Sequence, residues 1–174
     1  MPVLTVVRHA KSAWDDPALD DHDRPLADRG RRDAPLVAEH LAATLPAPDL
    51  VRCSSATRAQ ETATLLRPWT QAAPVTTEAA IYGASAGELR DLLRQTSEDH
   101  GHVALVGHNP GLAQLLVGLA ASPDHAADRI GKLPTCAAVT LETDGPWPTL
   151  DWRGARLRTV VTPKDVARSK GVDR

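Results

Sequence analysis

Leu4-Thr-Val-Val-Arg8-His9-Ala10-Lys11-Ser12 is an apolar run that ends in a cation and an imidazole. Strands of a sheet buried on both faces read as short continuous apolar runs, and ligands gather beyond their carboxyl ends. Val3 to Val7 has that character, which points to an α/β fold with Arg8 and His9 at the mouth of a core strand. Arginine brings a permanent charge and a planar donor fork suited to phosphate, and histidine at such a place serves as nucleophile, base or ligand. An isolated Arg-His pair is also an ordinary polar strand end, so its meaning depends on partners elsewhere.

Two more strand ends supply them. Asp49-Leu-Val-Arg-Cys53 reads as a short strand that runs into Ser54-Ser-Ala-Thr-Arg58-Ala-Gln-Glu-Thr-Ala63, a hydroxyl-rich turn opening a helix. Helix N-termini present unpaired N–H groups that favour anions, whereas Arg58 in the first turn opposes the helix dipole unless something negative binds there. His102-Val-Ala-Leu-Val-Gly107-His108-Asn-Pro-Gly111 gives a buried strand, a glycine allowing close approach of the backbone, and Pro110 suited to the first turn of a helix over 112–120. His108 therefore stands where His9 stands. Arg8, His9, Arg58 and His108 together make a phosphate-handling set.

The rest of the chain is consistent with one domain over 1–163 and a basic, frayed tail over 164–174, since 174 residues suffice for a single core. A net charge of only −2 makes no case for nucleic acid. No apolar run approaches the roughly 20 residues of a membrane span, and the start lacks a basic segment followed by an apolar core, so a cytoplasmic protein without membrane partners is expected, with a monomer favoured. Cys53 and Cys136 fit no CxxC or zinc spacing and read as buried thiols; His100-Gly-His102 is weak support for a metal, and neither metal nor cofactor is expected.

Between the strand ends, 13–25 is an acidic loop containing Asp21 and Arg24, the latter placed either to pair locally or to reach an anionic ligand. A helix ending near 45 either begins near Asp33 with Pro35 in its first turn or, the favoured reading, begins near Asp28 and bends at Pro35, and a strand near 75–77 leads to Glu78, a carboxylate outside any helix. Ser85 and Glu88 have capping-box spacing for a helix over 86–96. Residues 136–141 and 149–153 read as a hairpin across Asp144-Gly-Pro146.

Arg8-His9, the Ser54–Ala63 block and Gly107-His-Asn-Pro-Gly111, in that order, resemble the histidine phosphatase superfamily, the phosphoglycerate mutase-like proteins, in the short branch of SixA-type phosphohistidine phosphatases. Lys11-Ser-Ala-Trp14, Asp23-Arg-Pro-Leu26, Ile81-Tyr-Gly-Ala-Ser85 and Leu133-Pro-Thr135 match the same branch, while Ala10 departs from the glycine common at that place. The resemblance implies a three-layer α/β/α fold with a mixed, mainly parallel central sheet. It implies His9 as a nucleophile that becomes phosphorylated, with Arg8, Arg58 and His108 around the phosphoryl oxygens. His9 must then be neutral and His108 protonated, their pKa values pushed apart. Glu78 is the expected general acid with Asp21 behind it, and Arg24, Asn109 and Asp21 are expected substrate contacts. The implied activity is metal-independent hydrolysis of protein phosphohistidine. Alternatives are a small phosphorylated metabolite as substrate, with a mutase less favoured, and a phosphoprotein-binding module without turnover.

Overall fold

The computed structural model describes residues 1–171. Its centre is a six-stranded sheet in the order β3-β2-β4-β1-β5-β6, built from β1 (Val3–Arg8), β2 (Leu50–Ser54), β3 (Val75–Glu78), β4 (His102–Gly107), β5 (Ala138–Thr143) and β6 (Ala155–Val161). β3, β2, β4 and β1 are parallel, and β5 runs antiparallel to both β1 and β6. The expected mixed, mainly parallel sheet is therefore present.

Alternation along the strands sorts the core into two layers. Leu4, Val6, Val103 and Leu105 face one side, where they meet α4 (Ala86–Arg94), α5 (Gly111–Leu119) and α6 (Pro123–Ile130) through Leu89, Leu112, Leu116 and Ile130. Val7, Ala104, Val106 and Cys53 face the other, where α1 (Asp28–Thr44), α2 (Thr57–Leu65), α3 (Arg67–Thr70) and α7 (Pro163–Ser169) contribute Val37, Leu41, Ala59, Trp69 and Val166. Period-2 side chains on strands buried on both faces explain why these segments read as unbroken apolar runs. With no phenylalanine in the chain, the fully buried Trp69 and Trp147 supply the largest core side chains.

Register places the site. Arg8 lies opposite Gly107, and Cys53 opposite Val106, so His9, Ser54 and His108 emerge close together at one edge. The chain leaves β1 for the α1 face and β4 for the α5 face. Ligand crevices of open α/β sheets form where adjacent strands turn to opposite faces in this way. Gly111 lets α5 start there, because a Cβ would stand 2.1 Å from the Ala84 carbonyl oxygen.

Two expectations are corrected. Residues 149–153 are not the partner strand; β6 begins at Ala155. Trp147 starts a 3₁₀ turn instead, fully buried with its indole N–H donated to the His100 carbonyl at 2.7 Å, and Trp152 lies against Gly118. Within 149–153 Leu150 is buried and Trp152 stays exposed, so its alternation does not mark a half-buried strand. The segment after 163 is also not a frayed tail as far as it is described: α7 packs on α1 with Val166 and Ala167 buried, and Lys170 pairs with Glu39 at 2.6 Å. Residues 172–174 of the expected tail lie outside the described residues.

Candidate active site

His9 follows β1 and is 7% exposed. Its Nδ1 lies 2.7 Å from its neighbour's carbonyl, that of Ala10, which can only accept, so Nδ1 carries the proton and the Nε2 lone pair faces the crevice. Arg58 Nε donates to that nitrogen at 3.3 Å. Burial first, then the charges of Arg58 and Arg8, push His9 down to about 4 against the Ala10 hydrogen bond. The ring is thus a neutral, oriented base at pH 7.

Arg58 sits in the first turn of α2 and is itself buried. Thr62 links this helix to the loop after β1, because its hydroxyl donates to the Arg58 carbonyl at 2.7 Å and accepts from the Ala10 N–H at 3.0 Å. His108 stands with its ring centroid 5.0 Å from that of His9. Its Nε2 is 2.7 Å from the Ser54 hydroxyl. Burial, then His9 and Arg58, pushes it down to about 3. The expected separation of the two histidines is absent: both are neutral, since both are buried beside the same two guanidiniums.

Arg8 is placed by its NH1 donating to the Leu133 carbonyl at 2.9 Å. Asn109 donates Nδ2 to the same carbonyl at 3.2 Å and to that of Lys132 at 3.0 Å. Leu133 adopts φ 43°, a conformation uncommon for a branched side chain, and these bonds meet at its carbonyl. Arg8 Nε and His108 Nδ1 are buried with no hydrogen-bond partner among the described residues. Buried polar atoms are normally paired, so two such atoms at one crevice mark where a ligand's oxygens belong.

The acidic loop closes the site from the side. Asp21 heads a 3₁₀ turn, Asp21–Asp23, and accepts from Arg58 with both its main-chain carbonyl and its carboxylate, the latter at 2.9 Å. The same carboxylate oxygen accepts from the Tyr82 hydroxyl at 2.8 Å. Tyr82 meets the His108 ring edge to face at 5.5 Å and the His22 ring at 5.0 Å, and His22 Nε2 is 3.0 Å from the Ser55 hydroxyl. A cleft of about 290 Å³ opens beside His108, lined by Gly83, Ser85, Asn109 and Gln114.

Residues 4–100 match the model of the histidine phosphatase superfamily, branch 1. The chain belongs to the histidine phosphatase superfamily. An uncharacterized protein of Mycobacterium tuberculosis (strain H37Rv) is 38% identical over 149 residues, which cover 83% of this chain and 92% of the relative. A Nakamurella multipartitia protein assigned as phosphohistidine phosphatase SixA superposes with TM-score 0.82 at 27% identity, covering 93% of this chain and 96% of its own. One from Agrobacterium tumefaciens with the same assignment gives TM-score 0.82 at 25% identity over 94% and 99%. This histidine phosphatase is therefore of the SixA type in sequence and fold, and is a phosphatase.

Other expected site residues lie elsewhere. Glu78 does not join the crevice: Arg52 holds both its oxygens at 2.7 Å, and Thr76 donates to one of them. Despite burial, that guanidinium holds the Glu78 carboxyl below the usual range, the wrong direction for an acid. Arg24 is stacked on Trp14 at 4.4 Å and donates to the Asp16 carbonyl at 3.2 Å. It lines a separate cleft between the loop and α1 that holds none of the four cage residues. The Asn109 amide group is turned to Lys132 and Leu133, so its visible role in this phosphatase is to seat the carbonyl that holds Arg8. Ser54, Tyr82 and His22 went unassigned by sequence reasoning. Ser54 had a signal, its place at the strand end level with Gly107, but capping was a sufficient reason for it.

Proposed function

We propose that this phosphatase hydrolyses phosphohistidine on protein through a phosphoenzyme on His9 Nε2. The phosphoryl group sits among Arg8, Arg58, His9 and His108, in line with the Nε2 lone pair. Nε2 attacks phosphorus as the P–N bond to the substrate breaks, and the leaving imidazole departs already protonated. Water then attacks phosphorus, the P–N bond to His9 breaks, and inorganic phosphate is released. Two guanidiniums provide the fixed charge on which phosphoryl transfer depends, so no metal is required in this scheme. Burial first and then the neighbouring charges depress His108; a bound dianion opposes both by favouring the protonated ring, which donates from Nδ1.

The observation that carries the P–N reading is the state of the two carboxylates considered for proton donation. Glu78 is neutralised by Arg52, and Asp21 by Tyr82 and Arg58, whose hydrogen bonds hold its carboxyl low against burial. Both are ionised at neutral pH. An alkoxide leaving group needs a donated proton, commonly worth about 10²–10⁴ in rate, and a protonated imidazole does not. The titration of turnover against a phosphohistidine protein, phosphoserine peptides and sugar phosphates tests this. Phosphohistidine is favoured by at least about 10²-fold; faster turnover of a phosphomonoester refutes the substrate assignment.

No helix among the described residues is long and apolar enough to cross a membrane. The cytoplasm is the compartment this reading adopts.

A further inference from the structure

The cage has an occupant of its own. Three of the five N–H donors of Arg58 are engaged in the free protein: Nε by His9, NH1 by the Asp21 carbonyl and NH2 by the Asp21 carboxylate. Tyr82 aims that carboxylate by donating to the oxygen that also faces Arg58. The turn that carries Asp21 has no buried residue, and among the described residues its other anchors to the site wall are the contact of His22 Nε2 with the Ser55 hydroxyl and the edge-on packing of His22 against Tyr82. Moving the turn therefore exposes no core. With both histidines neutral, Arg8 and Arg58 give the cage two positive charges, and Asp21 offsets one.

We propose that Asp21 is a resident competitor of the phosphoryl group for Arg58, held ready by Tyr82, so that phosphate enters and leaves the cage by exchange with a carboxylate. The proposal rests on the phosphatase reading of the cage but not on the identity of the leaving group. A site built from two arginines and two histidines binds its product, inorganic phosphate, as well as its substrate. A carboxylate poised on one arginine weakens both and speeds release. Asp21 and Tyr82 are thus positioning residues that set affinity. Binding energy common to ground and transition states does not help turnover once the site is filled.

Isothermal titration of inorganic phosphate into the full chain, with phosphate inhibition of turnover alongside, tests the exchange. Asp21→Asn binds phosphate about tenfold more tightly than the wild type, in line with loss of one charge-assisted competitor. Tyr82→Phe shifts the affinity in the same direction by about threefold, and adds nothing once Asp21 is Asn. KM and kcat both fall in Asp21→Asn. In an Arg58→Ala background, Asp21→Asn has no effect on phosphate affinity. A purely structural role for Asp21 predicts the reverse, weaker binding and a raised KM, and either that result or an unchanged affinity overturns the proposal. Failure of the wild type and of Asp21→Asn alike to bind phosphate removes the cage itself and the proposal with it. Normal phosphate binding without phosphohistidine turnover bears only on the leaving group.

Discussion

The Ala10 carbonyl oxygen lies 2.7 Å from His9 Nδ1, and this contact decides which nitrogen of the histidine carries the proton. A carbonyl cannot donate, so the proton is on Nδ1 and the lone pair on Nε2. Ala10 is fully buried, and its N–H is held by Thr62, which also holds the turn of α2 bearing Arg58. The loop after His9 and the turn that bears Arg58 are thus tied through the Thr62 hydroxyl, in addition to the direct contact of Arg58 with His9.

Ser54 orients His108 as Ala10 orients His9, though its hydroxyl can donate as well as accept and does not fix the tautomer. Its hydroxyl is 2.7 Å from His108 Nε2 and also accepts the Ala56 N–H at 3.3 Å. Ser54→Ala leaves the ring free to turn, and kcat falls about tenfold, the value of one net hydrogen bond, while the thermal midpoint moves little. Steady-state kinetics with a melting curve checks this. An unchanged kcat means that His108 is held by its packing alone.

Glu78→Gln separates a structural carboxylate from a catalytic one. The Arg52–Glu78 pair is mostly buried, and Arg52 also donates to the Leu92 carbonyl and Thr96. Breaking it costs about 1–3 kcal/mol of stability, because a buried guanidinium loses its counterion. Turnover per folded molecule stays within about twofold, since general-acid loss alone costs 10² or more. Urea unfolding and kcat on the same preparation distinguish the two roles, and a hundredfold drop in kcat returns Glu78 to the chemistry.

The sequence made the strand ends legible because a core strand and its polar terminus are local patterns. Arg8, His9, Arg58 and His108 could each be placed by the run of apolar residues before them. What joins the site sideways was not legible. Asp21 meets Arg58 across 37 positions and Tyr82 across 61, and nothing local to an acidic loop says which of its carboxylates turns inward. Glu78 misled for the same reason: Arg52, opposite Thr76 on the neighbouring strand, reaches it diagonally from β2 to β3, a contact fixed only by register. Likewise 149–153 alternates like a strand, yet of its two apolar residues Leu150 is buried at the end of a 3₁₀ turn and Trp152 stays exposed, a tertiary outcome that outweighs the periodicity.

Acid weakens the fold through the same two histidines. His9 is held near 4 in the native protein against an ordinary 6.5, so between these values the unfolded chain binds more protons and stability rises with pH. The stability is full above about pH 6.5 and falls as pH drops toward 4, by about 3 kcal/mol for His9 alone. The lowered carboxyls of Asp21 and Glu78 act in the same direction at still lower pH, because they too must protonate on acid unfolding. Denaturant midpoints measured from pH 7.5 to 4.5 should decline steadily, and His9→Gln should flatten the slope. A wild-type midpoint that is level over this window shows that His9 is not held neutral.

The most direct test of the account is the site of phosphorylation. The full chain is mixed with a phosphohistidine protein, quenched in alkali and mapped by mass spectrometry and ³¹P NMR. The account predicts an acid-labile phosphate on Nε2 of His9, absent from His9→Ala together with turnover. Phosphate on Nδ1 or on another residue, or turnover that survives His9→Ala, contradicts it.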